Sequence, residues 1–217
     1  MIEKSRVETF INSFGSHFPD YLMDIEKDAI AGYVPVIRKS TQEIIKHLML
    51  TKRPGNILEV GTAVGFSALL MHEYAPDADI TTIENYEPRI PVAKANFDKY
   101  APDGKITLMP GDAGEILQKL CEEEKSYDFI FMDAAKGQYM NWAPYLMKLL
   151  KTGGMLCSDN VLQDGDIMES RYAVTKRNRT IHSRMREYLY FLTHEEKLST
   201  VIIPSGDGIT ISTKIGK

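Results

Sequence analysis

The chain has 217 residues, 43% hydrophobic and 26% charged, which suits a soluble globular protein with one sizeable core. A net charge of −4 does not mark a general nucleic-acid binder, although it leaves room for a local basic patch. Two cysteines, Cys121 and Cys157, are too few for a disulfide scaffold, and the start MIEKSRVETF lacks the apolar core of a signal peptide. No apolar run is long enough to span a bilayer. A single cytoplasmic domain over 1–217 with reduced thiols is expected, with no membrane contact and with residues 1–52 as a helical N-terminal extension.

The extension reads as helical because Val7, Phe10, Ile11 and Phe14, and later Ile44, Ile45, Leu48 and Met49, recur at helical spacing. AGYVPVIRKS, with Gly32 and Pro35, breaks it. Four apolar residues near the N-terminus also make a homodimer an expectation. The rhythm then changes to strand, turn, helix. NILEV (Asn56–Val60) precedes GTAVG and the helical FSALLMHEY. DITTIE (Asp79–Glu84) precedes a helix from about Pro88 to Tyr100. KITLMPGD precedes AGEILQKLCEEE. YDFIFMD precedes a helix from about Tyr139 to Leu150, and GGMLCSDN gives a fifth strand. Such alternation predicts a mostly parallel sheet with helices on both faces. After a polar helical stretch, STVIIP and GITISTK flank SGDG, which predicts an antiparallel hairpin closing the sheet.

Ligands of open α/β sheets bind beyond the carboxyl ends of the strands. Here those ends carry Glu59 with Gly61 and Gly65, then Glu84, Asp112, Asp133, and Asp159 with Asn160. Five acidic strand ends on one sheet edge repel one another unless a cation or hydrogen bonds offset the charge. GTAVG brings backbone close to a ligand, but it is neither G-x-G-x-x-G nor a P-loop. Glu84 suits the two hydroxyls of an adenosine ribose. Glu59 would repel a pyrophosphate but tolerates a sulfonium, which favours S-adenosylmethionine over a nicotinamide dinucleotide. Asp133, Asp159 and Asn160 form a hard-oxygen set suited to magnesium first, or to manganese or calcium. None of the five histidines falls in these motifs, which argues against zinc.

LEVGTAVGFSA, TIE, GDA, FIFMDAAKGQY and the GG…SDNV stretch resemble the cation-dependent O-methyltransferases, the group of catechol and caffeoyl-coenzyme A methyltransferases. The resemblance runs from about Val34 to the last strand and implies a Rossmann-like methyltransferase fold with a seven-stranded sheet. It also implies that Asp133, Asp159 and Asn160 hold a divalent cation and that Lys136 stands beside the reacting hydroxyl, with Asp133 and Lys136 the catalytic pair. Glu59, Gly61, Ser67, Glu84, Asp112, Ala113 and Asp133 would contact S-adenosylmethionine, and Val36 would pack near its methionine part. More narrowly, the chain is similar to the bacterial branch that methylates 5-hydroxyuridine at the tRNA wobble position to 5-methoxyuridine.

Methyl transfer to oxygen needs an oxyanion or something close to one. A bound cation lowers the hydroxyl's pKa and favours acceptors with two adjacent oxygens. Lys136 would take the proton if neutral, or stabilise the oxyanion if charged. Ser170–Glu187 carries Arg171, Lys176, Arg177, Arg179, Arg184 and Arg186, with Tyr172 and His182 as stacking groups, and Arg38 and Lys39 could extend the patch. Arg171, Lys176, Arg177 and Arg179 are the expected contacts to a tRNA anticodon loop. The alternatives are a solvated helix face and, for the whole protein, a methyltransferase of small catechol-like phenols, a nicotinamide-dependent oxidoreductase, or a cofactor-binding module without turnover.

Overall fold

The protein is described here by a computed structural model covering the backbone of residues 4–15 and 17–216. Three helices come first: α1 (Lys4–Asn12), α2 (Asp20–Ala31) and α3 (Lys39–Lys52). The alternating region follows as β1 (Asn56–Val60), α4 (Phe66–Tyr74), β2 (Asp79–Glu84), α5 (Ile90–Tyr100), β3 (Ile106–Pro110), α6 (Ala113–Glu122), β4 (Tyr127–Met132), α7 (Tyr139–Leu149) and β5 (Leu150–Ser158). The chain closes with α8 (Arg179–His194), β6 (Leu198–Ile203) and β7 (Ile209–Lys214). Short 3-10 turns cover Lys136–Gln138 and Gln163–Met168.

The seven strands form one sheet in the order β3-β2-β1-β4-β5-β7-β6. The first five are parallel, while β7 runs antiparallel to both β5 and β6. This is the expected mostly parallel sheet with an antiparallel hairpin. Side chains alternate across the central strands with period two, so the sheet has two buried faces. Ile57, Phe129, Phe131 and Cys157 pack with Ile45 and Met49 of α3 and Leu69 and Leu70 of α4. Leu58, Val60, Ile130, Met132 and Leu156 pack with Leu117 of α6, Leu146 of α7 and Met185 of α8. Both cysteines are buried and free, and no helix among the described residues is long and apolar enough to cross a membrane.

Several boundaries differ from the sequence reading. The break at Gly32 and Pro35 lies where the sequence implies, between α2 and α3, but ahead of it the helical stretch is two helices, and the second, α2, buries Leu22, Ile25 and Ala29. The fifth strand begins at Leu150 rather than Gly153, because Leu150 pairs with Tyr127 before the register shifts. Asp159 and Asn160 fall just beyond that strand. Val7, Phe10, Ile11 and Phe14 are all exposed, so their spacing marks an uncovered apolar surface rather than core.

Candidate active site

The strand order reverses between β1 and β4, and a crevice opens there at the carboxyl ends, as it does in doubly wound sheets. It is a cavity of about 1060 Å3 lined by Val36, Gly61, Ser67, Glu84, Asp112, Ala113, Asp133, Lys136 and Asn160 among others. Residues spread over 125 positions of the chain thus meet in one space. Glu59 and Asp159 stand behind its wall, 0% and 2% exposed.

The glycine turn shows why Gly61 and Gly65 are needed, and the reason is only partly a ligand. Gly61 has φ +100, and a β-carbon there would stand 2.1 Å from the Asp133 carbonyl oxygen. Gly65 has φ +87 and lies against the Phe97 ring. The two strand tips, β1 and β4, therefore touch through backbone, which only glycine permits. Glu84 has a comparable second duty. One carboxylate oxygen accepts from the Ala63 N–H at 2.7 Å, and the other from the Asn85 and Tyr86 N–H groups at 3.0 and 2.8 Å. Three of its four lone-pair sites are used, so Glu84 orders the turn and presents one further acceptor site to the cavity, on the oxygen bonded to Ala63. Asp112 caps α6 by accepting from Gly114 and Glu115 N–H groups at 2.8 and 3.1 Å.

Glu59, expected to contact the cofactor, is fully buried and does not line the cavity. It is a support under the turn: Thr82 donates its hydroxyl to Glu59, and the Thr62 hydroxyl lies 2.5 Å from that of Thr82. Burial pushes the Glu59 carboxyl up to about 7, against the opposing hydrogen bonds from Ser67 and Thr82. Its other oxygen, Oε1, has no hydrogen-bond partner among the described residues.

At the other end of the cavity, the loop after β4 carries Asp133 and Lys136, and the loop after β5 carries Asp159 and Asn160. Asn160 adopts φ +58, a left-handed conformation that asparagine tolerates. Its amide N–H donates to Asp133 Oδ1 at 2.8 Å, which leaves its amide oxygen available to a cation. Burial raises the Asp133 carboxyl, while Lys136 and Asn160 oppose the shift. Burial and the neighbouring Asp133 charge push Asp159 up to about 7. Two crowded, buried carboxylates beside an amide oxygen, with Lys136 as the nearby cation, fit a divalent ion of the hard-oxygen type. No cluster of three or more His, Cys, Asp or Glu side chains suited to a metal occurs among the described residues. Asp133, Asp159 and Asn160 are two acids and an amide.

Sequence reasoning missed some contributors. Thr41 of α3 donates to Asp159 Oδ1 at 3.3 Å from 118 residues away, a pairing that no local motif signals. Tyr139, inside the quoted FIFMDAAKGQY, is fully buried behind the acids. Arg184 of α8 donates to the Gly137 carbonyl at 2.7 Å, next to Lys136.

The basic segment divides. Arg171, Lys176 and Arg177 are exposed. Arg179 is half-buried, with its guanidinium 5.9 Å from the centre of the Tyr172 ring. Arg184 and Arg186 are bonded to carbonyls, and His182 is buried against the Glu169 carbonyl, so it is not a free stacking group. Lys39 pairs with Glu26. None of Arg171, Lys176, Arg177 and Arg179 lines the cavity.

The family model described as O-methyltransferase matches residues 16–215. The chain belongs to the O-methyltransferase family. Similar members of known name include the caffeoyl-CoA O-methyltransferase of Medicago sativa, 34% identical over 169 residues that cover 74% of this chain and 67% of that protein. A structure from Staphylococcus aureus, provisionally named a caffeoyl-CoA O-methyltransferase, is 28% identical with a TM-score of 0.84, covering 96% of this chain and 98% of that one. A methyltransferase of Podospora anserina solved with SAH has a TM-score of 0.85 at 22% identity, covering 98% and 95%, and shares the fold. The nicotinamide oxidoreductase reading falls with the family assignment.

Proposed function

We propose that this protein transfers the methyl group of S-adenosylmethionine to the 5-hydroxyl of 5-hydroxyuridine in a tRNA anticodon loop. The observation that carries the reading is the convergence of Asp133, Lys136 and Asn160 on the cavity that Gly61, Ser67 and Glu84 also line. Asp133, Asp159 and Asn160 would hold a divalent cation. Bound there, the cation supplies charge stabilisation to the acceptor oxygen, and adenosylmethionine supplies the methyl group. As the new O–C bond forms, the S–C bond breaks and the acceptor's proton leaves. Lys136, whose charge acts on Asp133, would take that proton or offset the oxyanion's charge. Glu84 would bind the ribose, Asp112 and Ala113 would contact adenosylmethionine, and Val36 would pack near its methionine part.

The ribose role gives a first expected outcome. Glu84→Ala removes both the ribose acceptor and the acceptor for three backbone N–H groups, so adenosylmethionine affinity should fall by about tenfold or more. Turnover at saturating cofactor should change far less, because the ribose lies away from the transferring methyl. Unchanged affinity by calorimetry would remove the ribose assignment.

An RNA acceptor is favoured by the exposed Arg171, Lys176 and Arg177 on the segment leading into α8, whose Arg184 touches the loop that carries Lys136. A small catechol-like phenol is the second reading, favoured by the 34% identity to a plant caffeoyl-CoA enzyme. Both acceptors offer two adjacent oxygens. Changing Arg171, Lys176 and Arg177 together to alanine should lower methylation of tRNA bearing 5-hydroxyuridine by about tenfold or more at moderate salt. The salt dependence of tRNA binding should flatten by roughly one log–log unit per lost phosphate contact. Catechol methylation should not change. Equal losses on both acceptors, or no loss on either, would count against the RNA reading.

A further inference from the structure

Tyr139 opens α7, three residues after Lys136, and is completely buried. Its hydroxyl oxygen lies 3.3 Å from the Ala134 N–H nitrogen, 3.3 Å from the Met132 carbonyl oxygen and 3.2 Å from the Asp159 carbonyl oxygen. A phenol has one proton and two lone pairs, so it accepts from Ala134 and shares its proton between the two carbonyls. The Met132 carbonyl and the Ala134 N–H belong to the peptide units on either side of Asp133. The Asp159 carbonyl belongs to the unit that joins Asp159 to Asn160. One hydroxyl thus grips the backbone beside all three residues of the hard-oxygen set.

This grip comes where the sheet stops supplying one. The bond from the Asp159 N–H to the Met132 carbonyl, 2.9 Å, closes the β4–β5 ladder. Beyond it the strand tips diverge into separate loops, and cation ligands must be held to within a few tenths of an ångström. We propose that Tyr139 is a positioning residue for the cation site: its hydroxyl fixes the spacing of the β4 and β5 tips and thereby of Asp133, Asp159 and Asn160. The inference rests on the reading of those three residues as cation ligands. The ring has a separate duty, packing edge-on against Tyr188 with centroids 5.4 Å apart, so Tyr139→Phe removes the grip and keeps the packing.

The test is manganese binding by calorimetry on the intact protein, with SAH binding and thermal melting measured on the same samples. Tyr139→Phe should weaken manganese affinity by about ten- to a hundredfold, as loss of an outer partner does elsewhere, and leave SAH affinity unchanged. Tyr188→Phe controls for the loss of any buried hydroxyl in the same aromatic pair, since its hydroxyl bonds the Ser158 side chain and not the backbone at Met132, Ala134 or Asp159. It should leave manganese affinity intact. Asp159→Ala tests the underlying reading and should abolish manganese binding. If Asp159→Ala abolishes it while Tyr139→Phe binds as tightly as wild type, the positioning role is overturned and the cation reading survives. If Tyr139→Phe loses SAH and manganese together, the residue supports the fold at large and the proposal also fails. If Asp159→Ala binds manganese normally, the cation reading itself fails.

Discussion

Asp159→Ala should reduce methyl transfer by about a thousandfold or more, because a cation contributes several kcal/mol to stabilising the reacting oxygen and each 1.4 kcal/mol is tenfold in rate. The same loss is expected for Asp133→Ala. Asp159 is the cleaner choice, since it lies behind the cavity wall while Asp133 lines it. Stability should move the other way, or not at all. Without a cation, burial and then the neighbouring Asp133 charge raise the proton affinity of Asp159. Removing the Asp159 carboxylate relieves that repulsion, so the melting temperature of the chelator-treated variant should equal or exceed that of chelator-treated wild type. Chelator should inactivate the wild type, and magnesium or manganese should restore it but not the variant. Full activity of the wild type in excess chelator would sink the assignment.

The second large effect is expected at Lys136. Lys136→Met should lower turnover by about a hundred- to ten-thousandfold, the usual range for loss of a positioned proton acceptor, with SAH affinity unchanged. Lys136→Arg separates the two roles open to this side chain. Arginine keeps the positive charge but cannot take a proton at ordinary pH. We expect the arginine variant to be impaired nearly as much as the methionine one. Arginine activity close to wild type would make Lys136 an electrostatic stabiliser instead. Arg184 provides the frame for this loop by holding the Gly137 carbonyl, so substitutions there would confuse the comparison and should be avoided.

The order of elements in the alternating half was legible from periodicity alone, because a parallel strand buried on both faces needs a continuous apolar run and a helix needs an apolar stripe. NILEV and DITTIE are strands at the boundaries the sequence implied, and YDFIFMD is one up to its last residue, Asp133, which falls just outside. The hairpin of β6 and β7 was legible for a different reason: SGDG supplies the backbone freedom a tight reversal needs, and Gly206 and Gly208 both adopt positive φ. The N-terminal region was less legible. Leu22, Ile25 and Ala29 have the spacing of a helix, but whether such a face packs or stays bare depends on what it meets. The face of α2 meets the core, while Val7, Phe10, Ile11 and Phe14, in and just after α1, stay exposed.

For the site, the sequence by itself determined the chemistry: which strand tips are acidic, that an asparagine and a lysine stand beside them, and that glycines flank the first turn. Chemistry of that kind is local, since a residue type and its distance from a strand end are both written in the chain. Only the tertiary structure decided what each group faces. It turned Glu59 inward to Thr82, gave Glu84 three backbone N–H groups to hold, and committed Arg184 and Arg186 to carbonyls while leaving Arg171, Lys176 and Arg177 in solvent. It also brought Thr41 to Asp159 and set the Tyr139 hydroxyl against both strand tips. The physical reason is that a hydrogen bond depends on distances of a few tenths of an ångström between groups that packing brings together. Spacing along a chain encodes the periodicity of each element, but not where two elements come to rest against one another.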